Sequence, residues 1–438
     1  MISPVTFAKY ARMRVPRYTS YPTAPNFRSE VGAGEYREWL GALQADVPVS
    51  LYLHIPFCQA MCWYCGCHTS VTRRPEPIAR YVNALLTEIE AVAAIAPGRM
   101  TVSHLHWGGG SPTVLAPDDI KRIDRTLRHA FRFAPDAELA VEVDPRTLSG
   151  AVASAFAASG VNRVSVGVQS FDPAVQKAIN RVQSVAQTAS AVRMFRRRGV
   201  EAINFDLIYG LPHQTVASCV ETVVQALAMR PNRLAVFGYA HVPSFKPHQR
   251  NIDQAVLPDP LERHRQAEVI ADTLTDAGYV RIGLDHFALP GDSLTAAAAV
   301  RRLHRNFQGY TTDSSTTLIG FGASAIGRLP LGFVQNETNL PAYQRTIARG
   351  ELATSRGCPV SSEDLRRAAI IEHLMCDYRA DAGDLLPVAV GELERDGLIR
   401  RSGTLIEVTD EGRPLVRAVA AAFDAYLPHT PVRHVTAV

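Results

Sequence analysis

The sequence predicts an α/β protein built on a parallel sheet that curls into a partial barrel, open on one side. From about residue 50, short β-like runs alternate with amphipathic helix-like stretches, a pattern typical of βαβ units. Polar residues follow several of the predicted strands, at the end where barrels carry their chemistry. About six or seven strand–helix units are visible, too few to close an eight-stranded barrel.

The strands of this sheet are predicted at short apolar runs, at 50–55, 102–107, 138–143, 163–168, 201–208, 233–239 and 279–284. Helices are predicted between them, at 78–95, 117–132, 173–198, 215–229 and 261–277. Several of these helices begin at Pro or Asp, as in "APDDIKRI" and "FDPAVQKAI". Both residues favour a helix N-terminus.

The alternation divides the chain into three parts. Residues 1–49 are rich in Pro and Tyr and irregular, residues 50–335 form the predicted barrel, and residues 336–438 form a mainly helical C-terminal domain. In that last part, a helix capped by Ser361 or Ser362 precedes a helix–hairpin–helix pattern that resembles a winged helix. No Lys/Arg stripe marks a recognition helix, so a cap over the barrel mouth is favoured over DNA binding.

Composition narrows the class of protein. A net charge of +4 over 438 residues is too dilute to indicate a nucleic-acid partner. No signal peptide is recognisable and no run approaches ~18 apolar residues, so we expect a soluble cytoplasmic monomer with no membrane partner. Three of the seven cysteines are scattered through helix-like patterns, at Cys219, Cys358 and Cys376. This usage favours a reducing compartment, where clustered thiols indicate metal.

The other four cysteines lie within ten positions of the segment "YLHIPFCQAMCWYCGC", residues 52–67. Cys58, Cys62 and Cys65 form C-x3-C-x2-C, without the second cysteine pair that a structural zinc site needs. Three thiolates on one loop can hold three irons of a [4Fe–4S] cluster and leave the fourth iron open. Such an iron can chelate the amino and carboxylate groups of a small molecule. A zinc site or an inert thiol patch is the alternative.

Further candidate binding groups follow the predicted strands. The triplet Gly108–Gly110 in "HWGGGSP" would let backbone groups approach a ligand closely, although a tight βα turn would also use glycine. Glu142, Gln169, Arg181 and Asp206 offer hydrogen bonds or charge near consecutive strand ends, although ordinary salt bridges are the alternative for each. Histidines also lie near strand ends, but no pair has a zinc-protease spacing, and none is assigned a catalytic role.

These motifs carry a family resemblance. C-x3-C-x2-C after the first strand of a partial barrel resembles radical S-adenosylmethionine (SAM) enzymes, and the chain more narrowly resembles the oxygen-independent coproporphyrinogen III oxidase family. The blocks that match, in order, include "RYTSYPTA", "HWGGGSPT", "VEVDPR", "VGVQSFD", "NFDLIYGLP", "GYAHVP", "GLDHFALP", "LHRNFQGYTT" and "GASAIG". Ser111 stands where the family usually has threonine, and Tyr64 where it can have phenylalanine.

The resemblance implies a [4Fe–4S] cluster on Cys58, Cys62 and Cys65, with Cys67 not a ligand, and two SAM molecules. One SAM would be chelated by the cluster and contacted by Tyr52, Gly109, Glu142 and Ile326. The second would be contacted by Tyr64, Gly110, Ser111, Gln169, Arg181, Asp206 and Ala240. The resemblance also implies an N-terminal lid over the site and an electron donor such as flavodoxin or ferredoxin.

The implied reaction is oxidative decarboxylation of two propionates of coproporphyrinogen III to vinyl groups, giving protoporphyrinogen IX in anaerobic haem biosynthesis. A SAM-derived 5′-deoxyadenosyl radical would abstract hydrogen from each propionate. Arginines of "RRLHRNFQGY" are candidates for binding these carboxylates. The alternatives are a haem chaperone of the same superfamily, which typically lacks the C-G-C cysteine and the "RYTSYPTA" lead, and a radical SAM haem-degrading methyltransferase.

Overall fold

A computed structural model describes residues 3–427 and 437. Its α-helices are α1 Pro4–Ala11, α2 Ala33–Gly41, α3 Pro75–Ile95, α4 Pro117–Ala130, α5 Gly150–Ala158, α6 Pro173–Ala178, α7 Val185–Arg196, α8 Val216–Leu227, α9 Pro260–Asp276, α10 Ser293–Ala299, α11 Leu340–Ala348, α12 Ser362–Asp377, α13 Val390–Arg395 and α14 Val416–Ala421. Short 3₁₀ helices lie at Ala24–Asn26, Pro112–Val114, Pro247–Asn251, Gln254–Val256, Gly383–Leu385 and Arg413–Leu415. Within the described part of the chain, no helix has the length and apolar character needed to cross a bilayer.

The strands are β1 Val49–Ile55, β2 Phe57–Cys58, β3 Ser70–Val71, β4 Thr101–Gly109, β5 Arg132–Val143, β6 Arg163–Gln169, β7 Ala202–Tyr209, β8 Arg233–Gly238, β9 Val280–Ile282, β10 His286–Ala288, β11 His304–Asn306, β12 Gly309–Thr311, β13 Leu318–Phe321, β14 Ile326–Leu329, β15 Gly332–Asn336, β16 Thr354–Pro359, β17 Arg379–Asp381, β18 Ile399–Ser402 and β19 Leu405–Val408. Twelve of them form one sheet in the order β16-β15-β14-β13-β1-β4-β5-β6-β7-β8-β10-β9.

The centre of this sheet is parallel, from β13 through β1 and β4 to β8. Both edges are antiparallel, because β14, β15 and β16 extend one side and β10 and β9 the other. Among the described residues the two edge strands do not pair with each other, so the barrel is open. The predicted partial parallel barrel is confirmed.

Two predicted elements differ from the structure. The expected strand 279–284 is the short antiparallel edge strand β9 rather than a further parallel unit. The single helix expected over 173–198 is two helices, α6 and α7, separated by an irregular segment in which Asn180 has a φ of 54°. This break places Arg181 beside the cysteine loop, a tertiary contact that helical periodicity cannot reveal.

A second hydrophobic core lies outside the barrel and joins the two ends of the chain. Tyr10, Tyr18 and Tyr21 are buried there against the C-terminal helices and strands. Ser361 caps α12, and its hydroxyl accepts a hydrogen bond from the Asp364 amide. The predicted helix–hairpin–helix order follows as α13, β18–β19 and α14. The three-part division of the chain stays a prediction, and the large sheet continues past residue 335 to β16.

A buried carboxyl group fixes α3 to the sheet. Glu88 is 2 % exposed and accepts hydrogen bonds from the Gly322 amide at 2.7 Å, the Tyr343 hydroxyl at 2.8 Å and the Asn336 amide group at 2.5 Å. Burial raises the pKa of Glu88 to about 7, although these donors oppose the shift. The folded protein therefore binds a proton on Glu88 that the unfolded chain has already released near neutral pH.

This coupling predicts a pH-dependent stability. Because the pKa of Glu88 is higher in the folded state, its contribution is full below the unfolded pKa of 4.5 and is lost as pH rises through about 7. From pH 5.5 to pH 8, the free energy of unfolding should fall by about 2 kcal/mol more in the wild type than in Glu88→Gln. Urea unfolding of both proteins at the two pH values measures this difference. Equal pH dependence would contradict the assignment.

Candidate active site

The cysteine loop leaves the carboxyl end of β1, as predicted. β2 carries Cys58 and pairs in parallel with β3, so that Phe57 lies opposite Ser70 and Cys58 opposite Val71. This small pairing closes the loop between residues 58 and 70 at its base. Cys62 is buried, Cys58 and Cys65 are partly buried, and Cys67 is exposed.

Each of the three candidate ligand sulfurs accepts a hydrogen bond. Thr69 Oγ1 lies 3.3 Å from Cys58 Sγ, Arg146 Nη2 lies 3.4 Å from Cys62 Sγ, and the Cys67 amide lies 3.4 Å from Cys65 Sγ. Hydrogen-bond donors directed at sulfur favour the thiolate, and the thiolate is the form in which cysteine binds metal.

Cys58, Cys62 and Cys65 supply three thiols from one loop. A [4Fe–4S] cluster binds each of its protein ligands at a different corner of the cube. This donor set fits such a cluster.

Two distant segments hold the cysteine loop in place. The Trp63 amide donates to the Ile179 carbonyl at 2.9 Å, and the Asn180 side chain donates to the Met61 carbonyl at 2.8 Å. On the other side, His248 Nε2 donates to the Cys65 carbonyl at 2.8 Å, and Lys246 Nζ to the Cys67 carbonyl at 3.0 Å. The loop is thus fixed from the segment after α6 and from the segment after β8.

The glycine triplet packs against β1 and the start of the cysteine loop. A Cβ at Gly108 would lie 2.8 Å from Glu142 Oε1, and one at Gly110 would lie 2.6 Å from the Phe57 carbonyl oxygen. Gly109 has a φ of 109°, in the region that favours glycine. The Ser111 amide donates to the same Phe57 carbonyl. Close packing therefore requires these glycines, and the SAM contacts of Gly109, Gly110 and Ser111 stay predictions.

Polar side chains line the inner face of the barrel near the cysteine loop. The ring of Tyr52 stacks on His106 with 6.0 Å between centroids, and His106 Nε2 lies 3.0 Å from Glu142 Oε1. Ile326 joins this group because its carbonyl packs against Gly320, the parallel partner of Tyr52. The four residues expected around the first SAM, Tyr52, Gly109, Glu142 and Ile326, lie on β1, β4, β5 and β14, within five consecutive strands of the sheet.

His54, on β1, packs against Gly109 of the glycine triplet and is neutral at pH 7. Burial lowers its pKa to about 4. Its Nε2 lies 2.8 Å from the His68 carbonyl, which can only accept, so Nε2 carries the proton. Nδ1 then accepts from the Tyr52 hydroxyl at 3.0 Å. This histidine orients Tyr52.

Asp206 lies further along the same face. Its carboxylate accepts from the Ser165 hydroxyl at 2.8 Å and from the Asn204 side chain at 2.9 Å. Burial raises the pKa of Asp206 to about 6, and the nearby charge of Glu142 adds to the shift. The carboxylate is therefore ionised at neutral pH and available to a cationic ligand.

The segment between α6 and α7 brings Arg181 to the cysteine loop. Arg181 is 6 % exposed, and its Nη1 lies 3.7 Å from Cys62 Sγ while Nη2 donates to the Gly167 carbonyl at 2.7 Å. Gln169, at the end of β6, has a φ of 67°, a strained conformation for a residue with a Cβ. Strain of this kind clusters at functional sites.

Gln249 joins two further candidates. Its side-chain amide donates to the Tyr64 carbonyl at 3.0 Å and to the Ala240 carbonyl at 3.1 Å. The residue is 1 % exposed. It ties the cysteine loop to the segment that follows β8 and so brings Tyr64 and Ala240 together.

The N-terminal segment also reaches the barrel mouth. Arg17 Nη2 donates to the Gly238 carbonyl at the end of β8, at 3.0 Å. The tyrosines of the segment pack instead into the core shared with the C-terminal domain. Its function as a lid stays a prediction.

Comparisons with known proteins agree with this geometry. Residues 52–226 match the Radical SAM superfamily. The chain is 53 % identical, over 431 residues, to an oxygen-independent coproporphyrinogen III oxidase of Bradyrhizobium diazoefficiens, and the match covers 95 % of this chain and 96 % of that protein. The chain belongs to the oxygen-independent coproporphyrinogen III oxidase family.

Further relatives place the family match across most of the chain. A relative of the same name from Escherichia coli strain K12 is 40 % identical over 428 residues, covering 94 % of this chain and 93 % of that one. The solved structure of coproporphyrinogen III oxidase from Escherichia coli, described as a radical SAM enzyme, matches with a TM-score of 0.88 at 38 % identity. That match covers 94 % of this chain and all of the other.

Sequence reasoning missed several residues of this site. Arg146 and Asp144 form a close ion pair, with 2.7 Å between Nη2 and Oδ2, and Arg146 donates to Cys62 Sγ. Both follow the predicted strand 138–143, so their position after Glu142 could have identified them. Gln249 and His248 lie in the short 3₁₀ helix Pro247–Asn251, which has too few residues for a periodic pattern to mark them.

Proposed function

We propose that the barrel mouth catalyses the oxidative decarboxylation of two propionate side chains of coproporphyrinogen III to vinyl groups, giving protoporphyrinogen IX. The observation that carries this proposal is the loop of Cys58, Cys62 and Cys65, whose sulfurs each accept a hydrogen bond at the carboxyl ends of the parallel strands. Membership of the family supplies the substrate.

The reaction removes a hydrogen atom from the β-carbon of each propionate, then carbon dioxide and one electron, and leaves a vinyl group. An unactivated C–H bond resists acid–base chemistry, so the bound cluster and SAM supply the hydrogen-atom abstraction. The protein binds and orients the reactants and excludes competing reactions. Its own buried polar groups supply this positioning.

We assign the cluster ligands to Cys58, Cys62 and Cys65, with Cys67 left free. Tyr52, Gly109, Glu142 and Ile326 would contact the SAM at the cluster. Tyr64, Gly110, Ser111, Gln169, Arg181, Asp206 and Ala240 would contact the second SAM. The support is positional, because both groups lie around one mouth and Arg181 reaches the cysteine loop.

We also infer the setting of the enzyme. All seven cysteines are free thiols, which suits a reducing cytoplasm. We propose a monomer that acts without nucleic acid or membrane, and the dilute net charge of +4 over 438 residues supports the absence of a nucleic-acid partner. An external one-electron donor of the flavodoxin or ferredoxin kind would reduce the cluster.

Anaerobic turnover tests the proposal. The reconstituted protein is supplied with SAM, a reductant, an electron-accepting cell extract and coproporphyrinogen III, and the product is analysed by mass. The loss of two carboxyl groups as carbon dioxide, with 5′-deoxyadenosine formed alongside, supports the proposal. A well-formed cluster that decarboxylates nothing, in a protein that binds haem, would contradict it and favour the chaperone.

The affinity for the second SAM should depend on pH through Asp206. If its carboxylate holds this SAM, binding weakens as the group takes up a proton below a pKa of about 6. Between pH 7.5 and pH 5.5 the ionised fraction falls about fourfold, and the affinity for the second equivalent of SAM should fall by the same factor.

Equilibrium dialysis with labelled SAM at both pH values measures this change. Asp206→Asn should bind the second SAM more weakly and lose this pH dependence. Glu142 and His286, the titratable neighbours that affect the pKa of Asp206, remain in both proteins. An unchanged pH dependence in Asp206→Asn would remove Asp206 from the site.

A further inference from the structure

A cavity of about 490 Å³ lies at the carboxyl ends of β7 and β8 and includes Ala240 in its wall. This volume is in the range of small-molecule sites. Among the residues that the structure describes, six arginines line the cavity, namely Arg14, Arg17, Arg263, Arg281, Arg305 and Arg417. Two carboxylates of the same described lining, Glu268 and Asp285, face them. The wall therefore carries an excess of positive charge.

Arg305 has donors that nothing in the described chain satisfies. The residue is 8 % exposed, lies over the ring of Tyr310 at 4.4 Å, and approaches Asp285 with 3.7 Å between Nη2 and Oδ2. Its buried Nε and Nη1 atoms have no hydrogen-bond partner among residues 3–427 and 437. Buried N–H groups are seldom left unpaired, so these two donors indicate an absent acceptor.

Arg263, in the same cavity lining, repeats this pattern. Its Nη1 donates to the Tyr239 carbonyl at 2.9 Å, whereas its buried Nε has no acceptor in the described part of the chain. Glycines make room for it, since a Cβ at Gly210 would lie 2.8 Å from Arg263 Nη1. Arg17 belongs to the N-terminal segment and Arg263 to α9. The positive charges of the cavity wall therefore come from segments far apart in the chain.

The arginines are close enough to repel one another. Burial lowers the pKa of Arg417, and the charges of Arg17 and Arg305 lower it further, to about 9. Arg417 donates to the carbonyls of Val15 and Pro16 and so anchors the N-terminal segment. Asp285 offsets only part of this charge. A bound anion would offset the rest.

We propose that this arginine cavity binds propionate carboxylates of the tetrapyrrole substrate, with Arg305 and Arg263 as the principal donors. The proposal rests on the proposed function, which supplies a substrate with four carboxylates. Two of these groups react, and the arginine cavity would hold others while one propionate lies at the cofactors. Ala240 links the two regions, because it belongs to the cavity wall and its carbonyl is bound by Gln249, which also holds the cysteine loop.

Fluorescence titration with coproporphyrin III, the stable oxidised form of the substrate, tests this site apart from turnover. Arg305→Gln and Arg263→Gln should each weaken binding by at least about tenfold, as expected for charge-assisted hydrogen bonds. Arg265→Gln is the matched control, because Arg265 is exposed on α9, the helix that carries Arg263, and lies outside the cavity lining. This variant should bind coproporphyrin III as tightly as the wild type. The tetramethyl ester of coproporphyrin III should bind far more weakly than the acid.

Arg305→Gln removes the cationic partner of Asp285 and leaves this carboxylate its contact with His286. Thermal melting therefore accompanies each titration, and Arg263→Gln provides the independent test. Folded variants that bind coproporphyrin III as tightly as the wild type would overturn the proposal. Parallel turnover assays distinguish a failure of the arginine cavity from a failure of the proposed function. A wild type that binds through these arginines but decarboxylates nothing supports the cavity and contradicts the proposed function. An active wild type with insensitive variants contradicts the cavity alone.

Discussion

A protein carrying Cys62→Ser will assemble no [4Fe–4S] cluster and will not turn over coproporphyrinogen III. Cys62 is the most buried of the candidate ligands, and its sulfur lies 3.4 Å from Arg146 Nη2 and 3.7 Å from Arg181 Nη1. Donors directed at a ligand sulfur orient and support it in metal binding, and Cys62 has two of them. A serine hydroxyl remains protonated at neutral pH and cannot replace a thiolate.

Anaerobic reconstitution followed by visible absorbance and iron analysis measures the loss. Cys67→Ser is the matched control, because Cys67 lies in the same loop but is exposed and is assigned no iron. It should keep the full cluster and its SAM-cleaving activity. A complete cluster in Cys62→Ser, or its loss in Cys67→Ser, would contradict the assignment of the ligands.

Gly110→Ala will displace the cysteine loop and destabilise the protein by about 3 kcal/mol. The new Cβ would lie 2.6 Å from both the Phe57 carbonyl oxygen and Thr69 Oγ1. Because the first contact is with backbone, it cannot be relieved by a rotamer change. Cys58 follows Phe57 directly, so we expect poor cluster assembly together with the lower free energy of unfolding.

Urea unfolding and iron content of the reconstituted protein measure the two effects. Gly41→Ala provides the control, because no atom lies within 4 Å of its Cβ position at the end of α2. Its stability should change by no more than about 0.5 kcal/mol. Wild-type stability and iron content in Gly110→Ala would show that the triplet tolerates side chains and is not packed as described.

The parallel centre of the sheet could be predicted because its signal is local. Buried parallel strands are continuous apolar runs bounded by turns, and β1, β6 and β7 lie within about one or two residues of the predicted 50–55, 163–168 and 201–208. The cysteine spacing is equally local, so the cluster loop was evident from the sequence.

Other features depend on contacts between residues far apart in the chain. The break between α6 and α7 exists where Arg181 meets Cys62, 119 positions away. The Gln249 bridge and the arginine cavity likewise join segments that no periodicity relates. Arg305 was one of several arginines in "RRLHRNFQGY", and only its burial in the cavity separates it from its exposed neighbour Arg302.

Transfer of a hydrogen atom from the substrate to 5′-deoxyadenosine is the most direct test of the proposed reaction. Coproporphyrinogen III labelled with deuterium at the β-carbons of its propionates is incubated anaerobically with the reconstituted protein, SAM, reductant and electron acceptor. We expect 5′-deoxyadenosine that carries deuterium, formed in step with carbon dioxide release and vinyl formation. Unlabelled 5′-deoxyadenosine, or labelled substrate recovered with all its carboxyl groups, would contradict the proposed reaction.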